Sequence, residues 1–114
     1  MNPKHLLEIF LVLQLAFNVL AFINEYFYEF GNKEVGKQIY TKDGLIHLFE
    51  HNNYVNVPVP PNTEVTYVSV RVNAINPPKV DFDNESKSLS IKYSFLELPI
   101  SSYSLYVKGK PTAG

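Results

Sequence analysis

The residues whose types and spacing come nearest to a known chemistry are His47-Leu48-Phe49-Glu50-His51, which fit the H-x-x-E-H arrangement of inverted zinc peptidases. On a helix, two histidines four apart lie on one face and can share a zinc ion, while the glutamate between them serves as general base. On a helical wheel these three side chains lie opposite Leu45, Leu48 and Phe49, so the preferred reading is an ordinary solvated face. A zinc hydrolase also needs a third protein ligand and a cleft, and the sequence offers neither. Asp81 and Asp83 form a second pair of interest, because hard cations favour clustered oxygens. No further acidic ligand follows them at loop spacing, so they are read as a solvated turn. The chain has no cysteine nucleophile, no G-x-S-x-G elbow and no glycine-rich phosphate loop among its five glycines. The expectation is a non-enzymatic protein with no catalytic residues, no metal and no cofactor.

Composition limits the alternatives. The chain has 114 residues, room for one compact domain. Its net charge is −1 and Arg71 is its only arginine, so it lacks the basic patch that nucleic-acid binding requires. Aromatic residues make up 14%, which separates it from disordered chains poor in such side chains.

Residues 6 to 23, LLEIFLVLQLAFNVLAFI, are apolar apart from Glu8, Gln14 and Asn18 and follow Lys4 and His5. As a secretory signal the segment has a weakly basic start, an apolar run and short residues at Val19-Leu20-Ala21, and cleavage after Ala21 is the favoured reading. A membrane anchor would need roughly 20 apolar residues, and the polar residues inside the run count against it. A buried core helix is the third reading. The expected organisation is a signal peptide or anchor over 1–21, then a β-rich extracellular domain over 22–114. Asn84-Glu85-Ser86 is an N-glycosylation sequon in a polar stretch that reads as a turn, which fits the secretory pathway.

The elements that must position these residues are read from periodicity. In FINEYFYEF, Ile23, Tyr26, Phe27 and Phe30 recur at three and four, which allows a helix face. In TKDGLIHLFEHNN the same spacing predicts a short amphipathic helix, capped by Thr41 or Asp43 and closed at Asn52-Asn53. Pro58, Pro60 and Pro61 lack the N–H of a ladder, so the next stretch is an extended loop or an edge. The period then becomes two. Val68, Val70, Val72 and Ala74 alternate with Ser69, Arg71 and Asn73, and Leu89, Ile91, Tyr93 and Phe95 alternate with Ser88, Ser90, Lys92 and Ser94. These two strands flank an Asp/Asn-rich turn and are expected to pair antiparallel. A third strand carries Tyr103, Leu105 and Val107. The predicted fold is mainly β, a short amphipathic helix followed by antiparallel strands. Three strands make a thin core, as of an incomplete β-sandwich.

The order of signal, amphipathic helix (GLIHLFEHNNY), Pro58-Val59 step, alternating strand (VTYVSVRVNAIN), Val80-Asp81 turn and second strand (LSIKYSFLE) resembles the start of the extracellular domain of Cys-loop pentameric ligand-gated ion channel subunits, nicotinic acetylcholine receptor-like. The resemblance covers Gly44 to Glu97. It implies a helix on top of a β-sandwich, a small neurotransmitter-like ligand between subunits, other channel subunits as partners, and membrane attachment through a longer parent or an uncleaved N-terminal segment. Phe95 matches the family's aromatic position on one wall of the agonist pocket, with Glu97 and Tyr93 beside it, and an aromatic ring there suits an ammonium group. Phe95 equally continues the core stripe of Leu89, Ile91 and Tyr93. Leu98-Pro99-Ile100-Ser101 replaces the family's Trp-x-Asp motif, and the paired cysteines and membrane helices are missing. The resemblance therefore implies a truncated subunit that forms no pore alone. The alternative is a small secreted β-sandwich module that meets a protein partner through a tyrosine-rich surface.

Overall fold

A computed structural model describes residues 5–13 and 23–112. Residues 5–13 are helical, and the expected cleavage at Ala21 lies outside the described residues. Among the described residues no helix is long and apolar enough to cross a membrane. The rest is β: β1 (Asn24–Gly31), β2 (Lys37–Ile46), β3 (Asn52–Asn56), β4 (Thr63–Ala74), β5 (Lys79–Asp83), β6 (Ser88–Lys92) and β7 (Ser101–Pro111). One sheet has the order β1-β4-β7-β2 and the other β3-β6-β5, with every pair antiparallel. The predicted mainly β architecture of antiparallel strands is what the chain adopts, in a sandwich-like arrangement with one short N-terminal helix, which the structure places at residues 5–13 and not after Thr41.

The core lies between the inner faces of the two sheets. Strand β4 contributes Val68, Val70, Val72 and Ala74, and β7 contributes Tyr103, Leu105 and Val107. Val55, Val80, Leu89 and Ile91 face them from the three-stranded sheet in a single cluster. Both period-two stripes thus point inward, because successive side chains of a strand alternate between faces. They do not pair with each other. Strand β4 pairs with β1 and β7, whereas β6 pairs with β3 and with β5, whose residues the sequence reading gave to the turn. The Asp/Asn-rich connection shrinks to residues 84–87 within the β5–β6 hairpin.

Two predicted helical stretches are strands. From Asn24 onward the FINEYFYEF stretch lies in β1, with Tyr26, Tyr28 and Phe30 leaning on the core and Phe27 exposed on the other face. TKDGLIHLFEHNN splits into the end of β2, a turn and the start of β3. Pairing with β7 decides the matter over residues 37–46, since a short isolated helix is marginal in water while the ladder satisfies the backbone. Gly44 also belongs to this register: a Cβ there would overlap the ring of the buried Tyr103. The proline-rich stretch behaves as expected, with β3 at an edge of its sheet.

Strands β1 and β2 are consecutive yet lie at opposite edges of the four-stranded sheet, so residues 32–36 must cross the ends of β4 and β7. A bulge between Val65 and Tyr67 leaves Thr66 outside the ladder to receive them. The Thr66 carbonyl accepts the Asn32 N–H at 2.8 Å, and its hydroxyl donates to the Val35 carbonyl at 2.7 Å. Gly31 and Gly36 flank the crossover at φ of 87° and 90°, and a Cβ on either would strike Thr66.

The core assignment predicts a clear contrast. Leu89→Ala, at a fully buried position, is expected to cost about 2–5 kcal/mol in urea unfolding, whereas Phe95→Ala, at an exposed one, is expected to stay within about 0.5 kcal/mol of the parent chain.

Candidate functional site

Strand register brings together side chains that are far apart in sequence on the outer face of the four-stranded sheet. Phe27, Arg71, Ser104 and Asp43 form one cross-strand row, and Glu29, Ser69, Tyr106 and Thr41 form the next. All of them but Glu29 line, with Tyr67, Lys33 and Lys108, a groove of about 440 Å³. Its floor is well covered although it faces away from the core: Tyr67 is 3% exposed and Ser69 8%. The Tyr67 hydroxyl donates to the Glu29 carboxylate, and the Lys108 ammonium donates to the Lys33 carbonyl at 2.8 Å, tying the β1–β2 crossover to the rim. Arg71 is held by Glu25, Nε to Oε1 at 2.6 Å, with more than half of each side chain in water. Aromatic rings, small hydroxyls and one held guanidinium are a recognition chemistry. The lining contains no histidine or cysteine.

The residues singled out for the agonist pocket fall elsewhere. Strand β6 ends at Lys92, so Phe95 lies in a turn, not on the inner stripe of a strand. It is 89% exposed and stacks on His51, with centroids 6.1 Å apart and planes inclined by 28°. Tyr93 is core: its hydroxyl donates to Ser101 Oγ at 2.8 Å, and Ser101 donates to the Pro99 carbonyl at 2.9 Å. Glu97 closes its own turn, its Oε1 accepting the Ser94 N–H at 2.7 Å. Tyr93 and Phe95 border a shallow depression with Phe49, Glu50 and His51, and Glu97 does not line it.

The H-x-x-E-H residues lose their common face because they form the turn between β2 and β3 rather than a helix. Glu50 Oε1 accepts the His47 N–H at 3.0 Å, and His51 Nε2 lies 3.2 Å from the Glu97 carbonyl. Among the described residues no group of three potential ligands is placed to hold a metal ion. Asp81 and Asp83 are both exposed on β5. Asp83 turns its Oδ1 onto the Glu85 N–H at 2.9 Å, with Ser86 N–H behind, and these bonds hold its carboxyl below the ordinary range. Asn84 sits exposed in that turn, its side-chain oxygen accepting from Lys87 at 2.6 Å.

Sequence reasoning placed Ser69, Arg71 and Asn73 on a polar face but did not join them to Phe27 or Tyr106. The available signal was the alternation in NEYFYEF, where Phe27 is the aromatic out of phase with Tyr26 and Tyr28.

Burial raises the phenol pKa of Tyr93 and of Tyr67 above the ordinary value of 10.0, Tyr67 with help from Glu29. In the unfolded chain these phenols ionise first, so the folded state is favoured below pH 10.0 and loses that advantage as pH rises through the folded values. Thermal melts from neutral pH upward are expected to hold steady and then fall above about pH 10. Tyr93→Phe should flatten that fall while costing about 0.5–1.5 kcal/mol at neutral pH for the lost hydrogen bond.

No family model, no curated protein and no solved structure matches the chain.

Proposed function

We propose that this chain is a non-enzymatic β-sandwich interaction module of the secretory pathway, meeting a protein partner through the aromatic-lined groove on the outer face of its four-stranded sheet. The observation that carries this reading is the groove itself: Phe27, Tyr67 and Tyr106 around the covered Ser69 and the chain's only arginine. Tyrosine, phenylalanine and arginine are the side chains enriched where proteins recognise one another, and energetic hot spots favour tyrosine and arginine. Arg71 is oriented by Glu25 before a partner arrives, which lowers the ordering cost of binding. The channel-subunit reading drew on an amphipathic helix at Gly44–Tyr54 and on a strand carrying Phe95. The first is strand and turn, and Phe95 lies past the strand end, so the interaction module has the stronger support.

A photo-reactive phenylalanine analogue at position 27 of the full chain, expressed in a secreting cell, is expected to give one discrete adduct. The same analogue at Tyr54, exposed on the other sheet, should not give it. Arg71→Ala should weaken capture by roughly tenfold, the scale of a hot-spot loss of about 1.4 kcal/mol. No adduct at position 27, or the same adduct at both positions, overturns the reading. In the same cells Asn84 is expected to carry a glycan, seen as an endoglycosidase-sensitive mobility shift that Asn84→Gln abolishes; an unshifted parent chain counts against the secretory assignment.

A further inference from the structure

The β2–β3 and β6–β7 connections contain the same device twice. In His47-Leu48-Phe49-Glu50 and in Ser94-Phe95-Leu96-Glu97, the glutamate N–H donates to the carbonyl three residues back, at 3.1 and 3.0 Å. Its carboxylate accepts the N–H of that same residue, at 3.0 and 2.7 Å. Each four-residue turn is thereby closed from both sides, and its two central positions project outward. Turn centres ordinarily carry glycine, proline, asparagine, aspartate or serine. Here they carry Leu48 and Phe49, and Phe95 and Leu96, with Phe49 87%, Phe95 89% and Leu96 93% exposed. The fold gains little burial from Phe49, Phe95 and Leu96, whereas Leu48 is 41% exposed and partly covered. The His51–Phe95 stack and the approach of His51 to the Glu97 carbonyl hold the two turns side by side. Leu98 and Ile100 extend the same apolar surface.

Strand register fixes what else lies at this end. Asn24 is opposite Ala74, Ala74 opposite Ser101, and Ser101 opposite Ile46, so the chain enters β1 where β2 runs into the first turn and β7 leaves the second. The residues before β1 are the apolar run 6–23. Two of the three connections at the other end are polar, Asn32, Lys33 and Glu34 in one and Asp83 to Lys87 in another, while the third, residues 57–62, is rich in valine and proline. The long axis of the strands therefore runs from the end that bears the sequon turn to the end that bears the two apolar turns, which the apolar segment enters.

We propose that the paired turns insert into a lipid bilayer surface, with Phe49, Phe95 and Leu96 as the inserted side chains and the Asn84 end directed away from the membrane. Side chains that project singly from convex turns suit a fluid apolar medium, and a patch of this kind on a folded domain marks a contact site. Each glutamate of the turns ties one carboxylate oxygen to a backbone N–H and keeps its charge, so insertion is shallow, with the carboxylates at the headgroup level. In the uncleaved chain the apolar run of residues 6–23 joins the domain at this same end. This surface is separate from the groove, and either proposal can fail without the other.

The chain contains no tryptophan, so one introduced residue reports its own position. Full-length Leu96→Trp and Glu85→Trp chains, with unchanged far-UV circular dichroism, are to be mixed with phosphatidylcholine vesicles containing lipids brominated at shallow acyl positions. Insertion about 5–10 Å into the headgroup and acyl boundary predicts a blue-shifted, strongly quenched Leu96→Trp and an unshifted, unquenched Glu85→Trp. Serine at positions 49 and 95 should remove most of the Leu96→Trp quenching. An unquenched Leu96→Trp overturns the proposal, including when the chain is vesicle-bound through its N-terminal run alone. Equal quenching at both positions, or no association with vesicles, overturns it as well.

Discussion

The structure depends on β4 being paired along both edges while one of its faces is sealed against the second sheet. Twelve residues of extended chain bond to β1 on one side and β7 on the other, and Val68, Val70, Val72 and Ala74 are almost completely excluded from water. A one-residue slip would turn this stripe outward and expose four apolar side chains, so the register is strongly specified. Everything else in the larger sheet is measured from it. Strand β7 repeats the alternation with Tyr103, Leu105 and Val107, and β1 leans Tyr26, Tyr28 and Phe30 on the cluster from the edge. The Tyr28 hydroxyl donates to the Pro78 carbonyl at 2.7 Å and ties that edge to the β4–β5 connection.

The same register creates both surfaces with a functional reading. Facing residues outward at alternate positions of four paired strands makes the groove, and its covered floor at Tyr67 and Ser69 follows from the neighbours that flank them across the ladder. Running each strand opposite to its neighbour sorts the connections into two ends. The sorting holds in the smaller sheet as well, since Asn56, Ser88 and Asp83 share one end and Asn52, Lys92 and Lys79 the other. Apolar turn tips and the polar sequon turn are thus separated by the length of the strands, although in sequence Asn84 and Phe95 are close.

What could be read from the sequence follows from where its alternation is undisturbed. From Val68 to Ala74 in β4 and from Tyr103 to Val107 in β7 the inward residues are valine, leucine, alanine or tyrosine, against serine, arginine and asparagine with Tyr106 as the one exception, and those strands and their buried faces are legible. Strand β2 is not, because its apolar residues sit at Ile39, Tyr40, Leu45 and Ile46 with Gly44 between, and Leu45 is exposed while Ile46 is buried. Combined with Leu48 and Phe49, that spacing imitates a helix. The confusion has a physical source: the turn that follows β2 carries large apolar side chains where turn residues are expected, so the signal that should have ended the strand is absent. The second turn misleads in the same way. Phe95 follows Leu89, Ile91 and Tyr93 at the strand period, and only the closed turn at Ser94–Glu97 takes it out of the core. Both errors arise where side-chain type was chosen by something other than burial. The groove was illegible for a different reason: its members come from four strands, and no local pattern encodes which strands are neighbours.

Closing each apolar turn with a glutamate has a further consequence for how such a surface can persist in a small domain. A turn that relies on local preference alone favours glycine, proline, asparagine, aspartate or serine at its centre, although the type I geometry accepts most residues. When the N–H and C=O of the first residue are both satisfied by the fourth, the central pair is released from that requirement and can be selected for contact. The opposite end shows the alternative solution, with Asp83 accepting from Glu85, and Lys87 at a φ of 56°. There the turn chemistry occupies the turn positions, and the exposed groups are polar. The two ends of one sandwich thus obey the same demand for backbone satisfaction with opposite choices of side chain. That difference, more than any single residue, separates a polar turn from turns that expose large apolar side chains.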